Sequence, residues 1–405
     1  MRRMIARILT MQSKRFLAKN TPRVIVVAGS AGKSSATSAV ESVLGVKYKV
    51  RATISNYNTD VGVPCSIFGR RLPENVKNPL AWLVMIIRNE ASLLKQSSVE
   101  VLVLELGTDT PGEIAEFAWL NPELAVVTAV AEEHMEYFKT VDAVAEEELS
   151  VVEYSKKVLI NKRMVAENYR ARVDGADIEL YDRDDLKDFG VKPTELAVAG
   201  EHSLDAVVAA LTVGKSMELT DNELIKGAKN IRPKPGRMNL LAGVNDSILI
   251  DDTYNSSPVS VRAALDYLYG VKTPQRIALL GNMNELGEVS RQAHIDIGEY
   301  CDPDKLDLIV TLGVDANQYT AVAAKAHECE VVETNSPYEA GRVINEHIKE
   351  GAYVLLKGSQ NGVFAEEAVR LLLANPEHES KLVRQNVFWK IKKQKAFADS
   401  SKDNL

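Results

Sequence analysis

Apolar runs alternate along the chain with segments that have a helical pattern. The runs Val24–Ala28, Val101–Leu106 and Leu124–Val130 contain no regular polar alternation, which is typical of parallel strands covered on both faces. Helical patterns lie between the runs, and this order predicts an α/β fold with a mostly parallel sheet. The other predicted strands are Lys157–Ile160, Ser247–Ile250, Ile277–Leu280, Leu308–Thr311 and Ala352–Leu356, and the predicted helices include Ser34–Leu44, Leu204–Leu211, Val259–Leu268 and Phe364–Leu373.

The alternation is interrupted at Arg232–Arg237, where two prolines and a glycine stand among charged residues. Such a density of helix and strand breakers marks a domain boundary. The sequence therefore predicts a basic N-terminal helix over residues 1–21, a first α/β domain over residues 22–235, and a Rossmann-like domain over residues 236–405 that ends in a helical tail.

A glycine-rich turn joins the first predicted strand to the first predicted helix. It reads Gly29-Ser30-Ala31-Gly32-Lys33-Ser34-Ser35, the short phosphate-loop pattern G-x-x-G-K-S. Backbone N–H groups at a helix N-terminus bind phosphate, and glycines let the backbone approach it closely. Lys33 adds a positive charge at the outer phosphates, and the Ser34 hydroxyl is a Mg²⁺ ligand. The turn predicts a P-loop ATPase domain; the alternative is a glycine turn with an incidental lysine.

Charge and cysteine content narrow the possible functions. The 405 residues carry 49 Lys and Arg against 56 Asp and Glu, a net charge of −7, which argues against a general nucleic-acid binder. The three cysteines are widely spaced and form neither a disulfide framework nor a paired metal motif. A reducing, cytoplasmic location is therefore expected.

The N-terminus and the longest apolar run bear on membrane contact. The run Leu80–Ile87 has eight residues, whereas a spanning helix needs about 20. Residues 1–23 contain seven basic residues and no acidic one, with apolar residues on one predicted helix face. Two interpretations stay open: a helix that touches an anionic membrane, and a helix docked on the protein body, which we favour.

Acidic residues stand at the ends of apolar strands, where α/β sheets place their ligand contacts. Glu105 ends one run, and the pair Asp251-Asp252 ends another. The alternatives are a solvated strand end for Glu105 and a helix N-terminal charge effect for the pair. His134 lies among three glutamates, and by itself it has the character of a surface histidine.

Several further blocks, in this order along the chain, resemble the Mur ligases, the ATP-dependent amide ligases of cell-wall peptide synthesis. The resemblance covers about residues 22–373. Besides the loop, its blocks are NYNTDVGVP at 56–64, LELG at 104–107 with PGEI at 111–114, Thr128 with His134, Gly236-Arg237, DDTYNSSP at 251–258, GNMNELGE at 281–288 with His294, and Lys357-Gly358-Ser359.

The resemblance implies that ATP and Mg²⁺ activate a carboxylate as an acyl phosphate, which an amine then attacks. It implies a UDP-linked muramyl tripeptide as the acid and D-alanyl-D-alanine as the amine, in peptidoglycan synthesis. The residues it implies are Lys33, Glu105, His134 and Glu148 for catalysis; the loop 29–35, Arg237, Asp252 and Asn255 for the nucleotide; Ser34, Glu105 and His134 for metal; and Asn58, Asp60, Tyr254, Lys357 and Ser359 for the substrates.

The chain departs from the family pattern at four places, and one of the smaller departures is Asn161-Lys162-Arg163, where the family often has L-N-x-D-D. About 21 residues precede the first predicted strand, so we expect the N-terminal domain that grips the UDP-sugar to be missing, and a partner to be one possible source of that recognition. Glu148 stands where the family has a carbamylated lysine, either as a fixed carboxylate at the metal or as part of a solvated acidic face, Glu146–Glu148. Ser203 and Asp205 replace two asparagines, which puts the adenine contact in doubt.

Two other functions stay open. One is a ligase of the same chemistry for an acid outside the cell wall, such as a folate, a cofactor or a polyamino acid. The other is a regulatory protein that binds nucleotide without ligation, which the substitutions at Glu148, Ser203 and Asp205 make conceivable.

Overall fold

The computed structural model describes residues 2–54, 56–73, 75–173 and 177–397. They form two compact units, each built on a six-stranded sheet. The first unit contains Met1–Ala131, Tyr137–Ala197 and His202–Arg232; the second contains Glu132–Glu136, Val198–Glu201 and Pro233–Leu405. The predicted α/β class is confirmed. Met1 and the last eight residues of the predicted tail lie outside the described residues.

The sheet of the first unit is entirely parallel, with the strand order β2-β3-β1-β4-β5-β6. Its central strands are buried apart from Arg23 at the start of β1, as their continuous apolar sequences predict. Its strands are β1 (Arg23–Ala28), β2 (Val50–Ala52), β3 (Val101–Glu105), β4 (Leu124–Val127), β5 (Lys157–Asn161) and β6 (Asp177–Tyr181).

The sheet of the second unit has the order β11-β10-β9-β12-β8-β7, in which only the edge strand β7 is antiparallel to its neighbour. The mostly parallel arrangement predicted for the chain holds in both units. Its strands are β7 (Asn239–Ala242), β8 (Ile248–Asp252), β9 (Arg276–Gly281), β10 (Leu308–Leu312), β11 (Val331–Thr334) and β12 (Tyr353–Lys357).

The α-helices connect these strands. In chain order they are α1 (Arg2–Asn20), α2 (Lys33–Leu44), α3 (Gly62–Ile67), α4 (Pro79–Leu93), α5 (Met135–Phe138), α6 (Val141–Leu149), α7 (Glu167–Arg170), α8 (Glu201–Ser216), α9 (Asp221–Asn230), α10 (Pro258–Gly270), α11 (Ser290–Tyr300), α12 (Val322–Ala326), α13 (Pro337–His347), α14 (Glu366–Leu372) and α15 (Val387–Ala396).

The N-terminal helix α1 is docked on the first unit. Its residues Ile5, Leu9 and Phe16 are buried, and the Phe16 ring meets the Phe68 ring edge-on at 5.3 Å. The Gln12 amide donates hydrogen bonds to the Ile86 carbonyl and to Glu90. The helix therefore packs one apolar face against the body of the unit, as the favoured interpretation has it.

The C-terminal helix α15 is fastened to the second unit by buried charges. The Lys393 ammonium lies 2.9 Å from the Glu366 carboxylate and 2.7 Å from that of Glu367. All three side chains are almost fully buried, and Arg384 forms a further ion pair with Glu366 at 3.0 Å. Trp389 of the helix and Phe397 directly after it also meet the buried Phe364 ring edge-on, at 6.1 and 6.0 Å. Buried ion pairs and aromatic contacts together therefore hold the helix on the unit.

Replacing Lys393 by methionine should destabilise the second unit by about 3 kcal/mol, because breaking a buried ion pair is costly. The two buried carboxylates would then share, among the described residues, only the partly buried Arg384 and Arg370 as counter-charges. Urea denaturation followed by circular dichroism measures the change. Lys395→Met on the exposed side of the same helix is the matched control. Equal denaturation midpoints for the two variants would contradict the expected effect.

Candidate active site

The glycine turn between β1 and α2 has the backbone of an anion-binding loop. Gly29 and Gly32 have φ angles of +123° and +81°, a region that glycine enters without strain. A Cβ atom on Gly29 would lie 2.3 Å from the Thr128 hydroxyl oxygen. Only glycine therefore allows the loop to pass this close to the end of β4.

Helix α2 begins at Lys33, and no side chain caps it. The first N–H groups of a helix have no partner within the helix, so an uncapped N-terminus is suited to an anion. Ser34 and Ser35 stand half-buried in the first turn, and the Ser30 hydroxyl is a buried group without a hydrogen-bond partner in the described structure. The predicted loop residues are thus assembled in one place.

Glu148 in the last turn of α6 reaches this loop. Its carboxylate accepts a hydrogen bond from the Gly29 N–H at 2.5 Å and lies 3.8 Å from the Lys33 ammonium. The side chain is fully buried. Helix α6 is capped by Thr140, whose hydroxyl accepts the Ala143 N–H. The solvated interpretation of the Glu146–Glu148 face is therefore wrong for Glu148, which is part of the loop's surroundings.

The neighbouring Glu147 has a structural task that the sequence did not reveal. Its carboxylate accepts the N–H groups of Gly112 at 2.6 Å and Ile114 at 2.7 Å, and its side chain is buried. Of the three consecutive glutamates, only Glu146 is exposed. The block PGEI, which the sequence singled out, is thus held by a helix distant in sequence.

Glu105 lies at the carboxyl end of β3, opposite Val27 of β1 in the register. Its backbone N–H donates to the Thr53 hydroxyl at 2.7 Å, and one carboxylate oxygen accepts the Asn58 amide at 3.1 Å. The other oxygen, Oε2, is buried and has no hydrogen-bond partner within the described residues. A buried carboxylate oxygen of this kind is suited to a cation, since burying an uncompensated charge is costly.

Asn58 and Asp60 lie on the loop before α3. The Asn58 side chain contacts Glu105. The Asn58 backbone carbonyl accepts the Gly107 N–H at 2.9 Å. A Cβ atom on Gly107 would lie 2.4 Å from the Asn58 amide nitrogen, so the glycine makes this approach possible. Asp60 forms an exposed ion pair with Arg2 of α1 at 2.9 Å.

In the second unit, the ends of β8 and β12 bring three predicted residues together. The Lys357 ammonium lies 2.9 Å from the Asp252 carboxylate and donates to the Asn255 carbonyl at 2.5 Å. Burial lowers the pKa of Lys357, while Asp252 acts in the opposite direction. The predicted nucleotide residue Asp252 and the predicted substrate residue Lys357 are therefore one buried ion pair.

Asp251 differs from its neighbour in every contact. Its carboxylate accepts the Gly236 N–H at 3.0 Å and the Thr253 hydroxyl at 2.6 Å. Burial raises its pKa to about 6, and the hydrogen bonds oppose that rise. Asp251 ties the predicted boundary segment to the end of β8, which is a structural role.

Tyr254 lies between two guanidinium groups. Arg237 stacks on its ring at 4.4 Å and Arg384 at 5.3 Å. Ser359 is within 3.5 Å of the Asn255 side chain. Of the six residues predicted for this unit's nucleotide and substrate contacts, five thus lie at the carboxyl ends of β8 and β12 or directly after them. The sixth, Arg237, lies beside the boundary glycine and contacts Tyr254.

His134 is grouped with the second unit, where its ring lies 3.3 Å from the Glu285 carboxylate. Its φ angle is +48°, which is uncommon for a residue with a side chain. Its assignment as a metal ligand with Ser34 and Glu105 stays a prediction. In the described ranges, no group of three or more His, Cys, Asp or Glu side chains could hold a metal ion.

Asp205, which replaces a family asparagine, is buried in α8 and accepts the Arg183 N–H at 3.0 Å. Burial raises its pKa to about 6. An asparagine at this position would offer an amide donor that the carboxylate lacks. The doubt about an inherited adenine contact stays a prediction.

The first unit carries a phosphate-binding loop on a parallel sheet, and a second α/β unit follows it. These features place the chain in the class of P-loop α/β proteins. The family comparison is more specific. The Mur ligase middle domain matches residues 27–189, and the Mur ligase glutamate ligase domain matches residues 236–360. The chain belongs to the Mur ligase family, which confirms the resemblance.

Named relatives extend over most of the chain. The UDP-N-acetylmuramoyl-tripeptide–D-alanyl-D-alanine ligase of Bacillus subtilis is 26% identical over 386 residues, which cover 90% of this chain and 79% of the relative. The enzyme of the same name from Escherichia coli is 25% identical, with 87% and 77% covered. The MurF ligase of Thermotoga maritima, solved in complex with ADP, has a TM-score of 0.73 at 21% identity and covers 93% of this chain and 84% of its own.

Across the part of the chain that the structure describes, none of the helices combines the length and the apolar character needed to cross a bilayer.

Proposed function

We propose that the chain is an ATP-dependent ligase that joins the carboxylate of a UDP-N-acetylmuramoyl tripeptide to the amine of D-alanyl-D-alanine. The observation that carries the proposal is the loop around Lys33, which combines an uncapped helix N-terminus with the buried carboxylates Glu148 and Glu105. The relatives of this name support the substrate pair. The three buried free cysteines are in line with the proposed cytoplasmic location.

The γ-phosphoryl group of ATP passes to a carboxylate oxygen of the acid, and ADP leaves. The amine nitrogen of the dipeptide then attacks the activated carbonyl carbon, phosphate leaves, and the nitrogen loses a proton. Charge accumulates on phosphoryl oxygens in the first step. We assign Lys33 and the N–H groups of the loop to bind and orient these oxygens, because fixed donors stabilise charge without reorganisation.

Magnesium fits the residues of the first unit. Glu105 presents a buried carboxylate oxygen without a hydrogen-bond partner among the described residues, and Ser34 stands in the first turn of α2. Mg²⁺ in such sites uses one or two carboxylates together with substrate phosphates and water. Bound there, it would neutralise phosphate charge; Glu105 and Ser34 would hold it, and Asn58 would orient Glu105.

We assign Glu148 to position Lys33 and the loop. Its contact with the Gly29 N–H fixes the start of the turn, and its charge lies beside the ammonium. A carboxylate here also adds negative charge near a bound cation, as the fixed-carboxylate hypothesis requires. His134 stays a candidate for a second metal.

The roles proposed for the second unit follow the family. Arg237, Asp252 and Asn255 are assigned to the nucleotide, and Tyr254, Lys357 and Ser359 to the substrates, with Asp60 of the first unit. The buried pair of Lys357 and Asp252 makes these two residues interdependent, since removing either one leaves the other charge uncompensated.

A phosphate-release assay tests the proposed function. With Mg²⁺-ATP, we expect ADP and phosphate only when both the UDP-muramoyl tripeptide and D-alanyl-D-alanine are present, together with a product of the mass of the joined peptide. Parallel reactions contain a folate with glutamate. Turnover only in the reaction with folate and glutamate would show that the acid substrate is not the UDP-muramoyl tripeptide. Nucleotide binding without turnover on either substrate pair would contradict the proposed ligase activity.

A further inference from the structure

Helix α4 presents an apolar face to solvent. Leu80, Leu83, Val84 and Ile87 are each between 47% and 68% exposed. Their spacing of three, four and seven residues places them on one side of the helix. The opposite side, with Trp82 among its buried residues, packs on the unit. A sustained exposed apolar stripe of this kind marks an interaction site.

Helix α1 continues this surface. The two helices lie side by side, because the Gln12 side chain bonds to the Ile86 carbonyl at 3.0 Å and to Glu90 at 2.8 Å. Met11, next to Gln12, and Met4 are both more than half exposed. We call the surface formed by these six exposed residues the α1–α4 platform: Met4, Met11, Leu80, Leu83, Val84 and Ile87.

Basic residues flank the platform. Helix α1 contains six Lys and Arg and no acidic residue, whereas the whole chain has a net charge of −7. Arg3, Arg7 and Lys14 are exposed on α1, and their spacing places them on one face beside the methionines. Arg88 is exposed on the other flank. The one acid of α4, Glu90, is bound by Arg15 and Gln12. At the start of α1, Arg2 is paired with Asp60, so the positive charge of the flanks comes from Arg3, Arg7, Lys14 and Arg88.

We propose that the α1–α4 platform docks on the surface of an anionic lipid bilayer. Apolar side chains enter the boundary between headgroups and acyl chains, while lysine and arginine contact the anionic headgroups. The geometry is that of a protein lying on a membrane, since neither helix spans it. The inference is independent of the ligase activity, because it uses no residue of the proposed active site.

The charge pattern favours lipid over a second copy of the chain. A two-fold dimer through the platform would bring the basic flanks of the two copies together, and their like charges would repel each other. An anionic bilayer satisfies the apolar stripe and both flanks at once. Self-association through the platform is therefore one of the outcomes that the test distinguishes.

A second exposed surface of similar character lies on α15 in the second unit. Val387, Phe388 and Ile391 are exposed there, next to the exposed Lys390 and Lys392. It is shorter than the platform. It is the alternative surface of the same chain that could account for membrane binding, so the test must distinguish the two.

Sedimentation of the full chain with lipid vesicles tests the proposal. Vesicles of phosphatidylcholine with about one third phosphatidylglycerol should bind the chain at least about tenfold more tightly than pure phosphatidylcholine. Leu83→Gln with Ile87→Gln should lower the binding about tenfold or more, and so should Arg3→Gln with Arg7→Gln. Val314→Gln with Val322→Gln, exposed apolar positions of the second unit, is the matched control and should bind as the unaltered chain does.

Three results would overturn the proposal. The first is equal sedimentation with neutral and anionic vesicles, or none with either. The second is loss of binding in Phe388→Gln while the Leu83 and Ile87 double variant still binds. The third is self-association without lipid, seen by sedimentation velocity, that the double variant abolishes. Ligase turnover in solution should be the same for all these variants, which separates this test from that of the active site.

Discussion

Replacing Lys33 by methionine is expected to lower ligase turnover by about 10³-fold, the scale of losing one preorganised charge at a reacting centre. Lys33 is the cation of the loop, and its ammonium lies 3.8 Å from the Glu148 carboxylate. Without this ammonium, the negative charge of the phosphoryl oxygens and of Glu148 would lack a neighbouring positive charge. Release of phosphate in the presence of acid, amine and Mg²⁺-ATP measures the effect.

The control for Lys33 is Lys226→Met, because Lys226 is exposed on α9 of the same unit. Lys33→Arg is a second variant that keeps the charge, so it separates the effect of the charge from the effect of the lysine's geometry. If Lys33→Met is folded by circular dichroism and keeps turnover within about fivefold of the unaltered chain, the proposed role of the loop is wrong.

Replacing Glu148 should separate its two proposed tasks. Glu148→Gln keeps an oxygen that can accept the Gly29 N–H but loses the charge beside Lys33. We expect turnover to fall about 10²-fold and the Mg²⁺ concentration for half-maximal rate to rise. Glu148→Ala removes the acceptor as well, and leaving a buried N–H without a partner costs about 1–3 kcal/mol of stability.

Two further variants sharpen this result. Glu146→Gln lies on the exposed face of the same helix and should leave turnover and stability unchanged. Glu148→Lys places a second positive charge beside Lys33 and should abolish turnover. Full Mg²⁺-dependent activity in both Glu148→Gln and Glu148→Lys would exclude the metal-side role.

The central strands could be predicted because their sequences are almost purely apolar. All eight predicted strands are present, with shifts at their ends; the run Leu124–Val130 forms a strand only as far as Val127. Four strands were not predicted, and each lies at or near a sheet edge. Val50–Ala52 has three residues, and Asp177–Tyr181 has only one buried residue, Tyr181. Edge strands bury little surface, so their sequences carry little of the apolar signal.

The loop residues of the candidate site could also be predicted, since Gly29 to Ser35 are contiguous in sequence. Contacts between distant segments could not. Glu147 and Glu148 are chemically identical neighbours, yet one binds the Gly112 and Ile114 N–H groups and the other binds Gly29. Adjacent residues of a helix point in different directions, but the local sequence does not show which distant segment packs against each face.

The pair Asp251-Asp252 shows the same limit. The sequence identifies two carboxylates at a strand end and suggests ligand contact for both. Both carboxylates accept a backbone N–H of the boundary segment, from Gly236 for Asp251 and from Met238 for Asp252. Their other partners differ, the Thr253 hydroxyl for Asp251 and the Lys357 ammonium for Asp252. Successive side chains of a strand point to opposite faces of the sheet, so the two carboxylates are expected to differ in their surroundings. The sequence does not identify their partners, because these come from distant parts of the chain.

The contact of Arg384 with the end of β8 has a consequence for biosynthesis. Its guanidinium donates to the Tyr254 carbonyl at 2.7 Å across 130 positions of sequence. On the ribosome, Tyr254 emerges long before Arg384 is translated. The strand end that carries Asp252 therefore acquires its final neighbours late, and a nascent chain stalled between these two positions should already contain the first unit but not a finished second one.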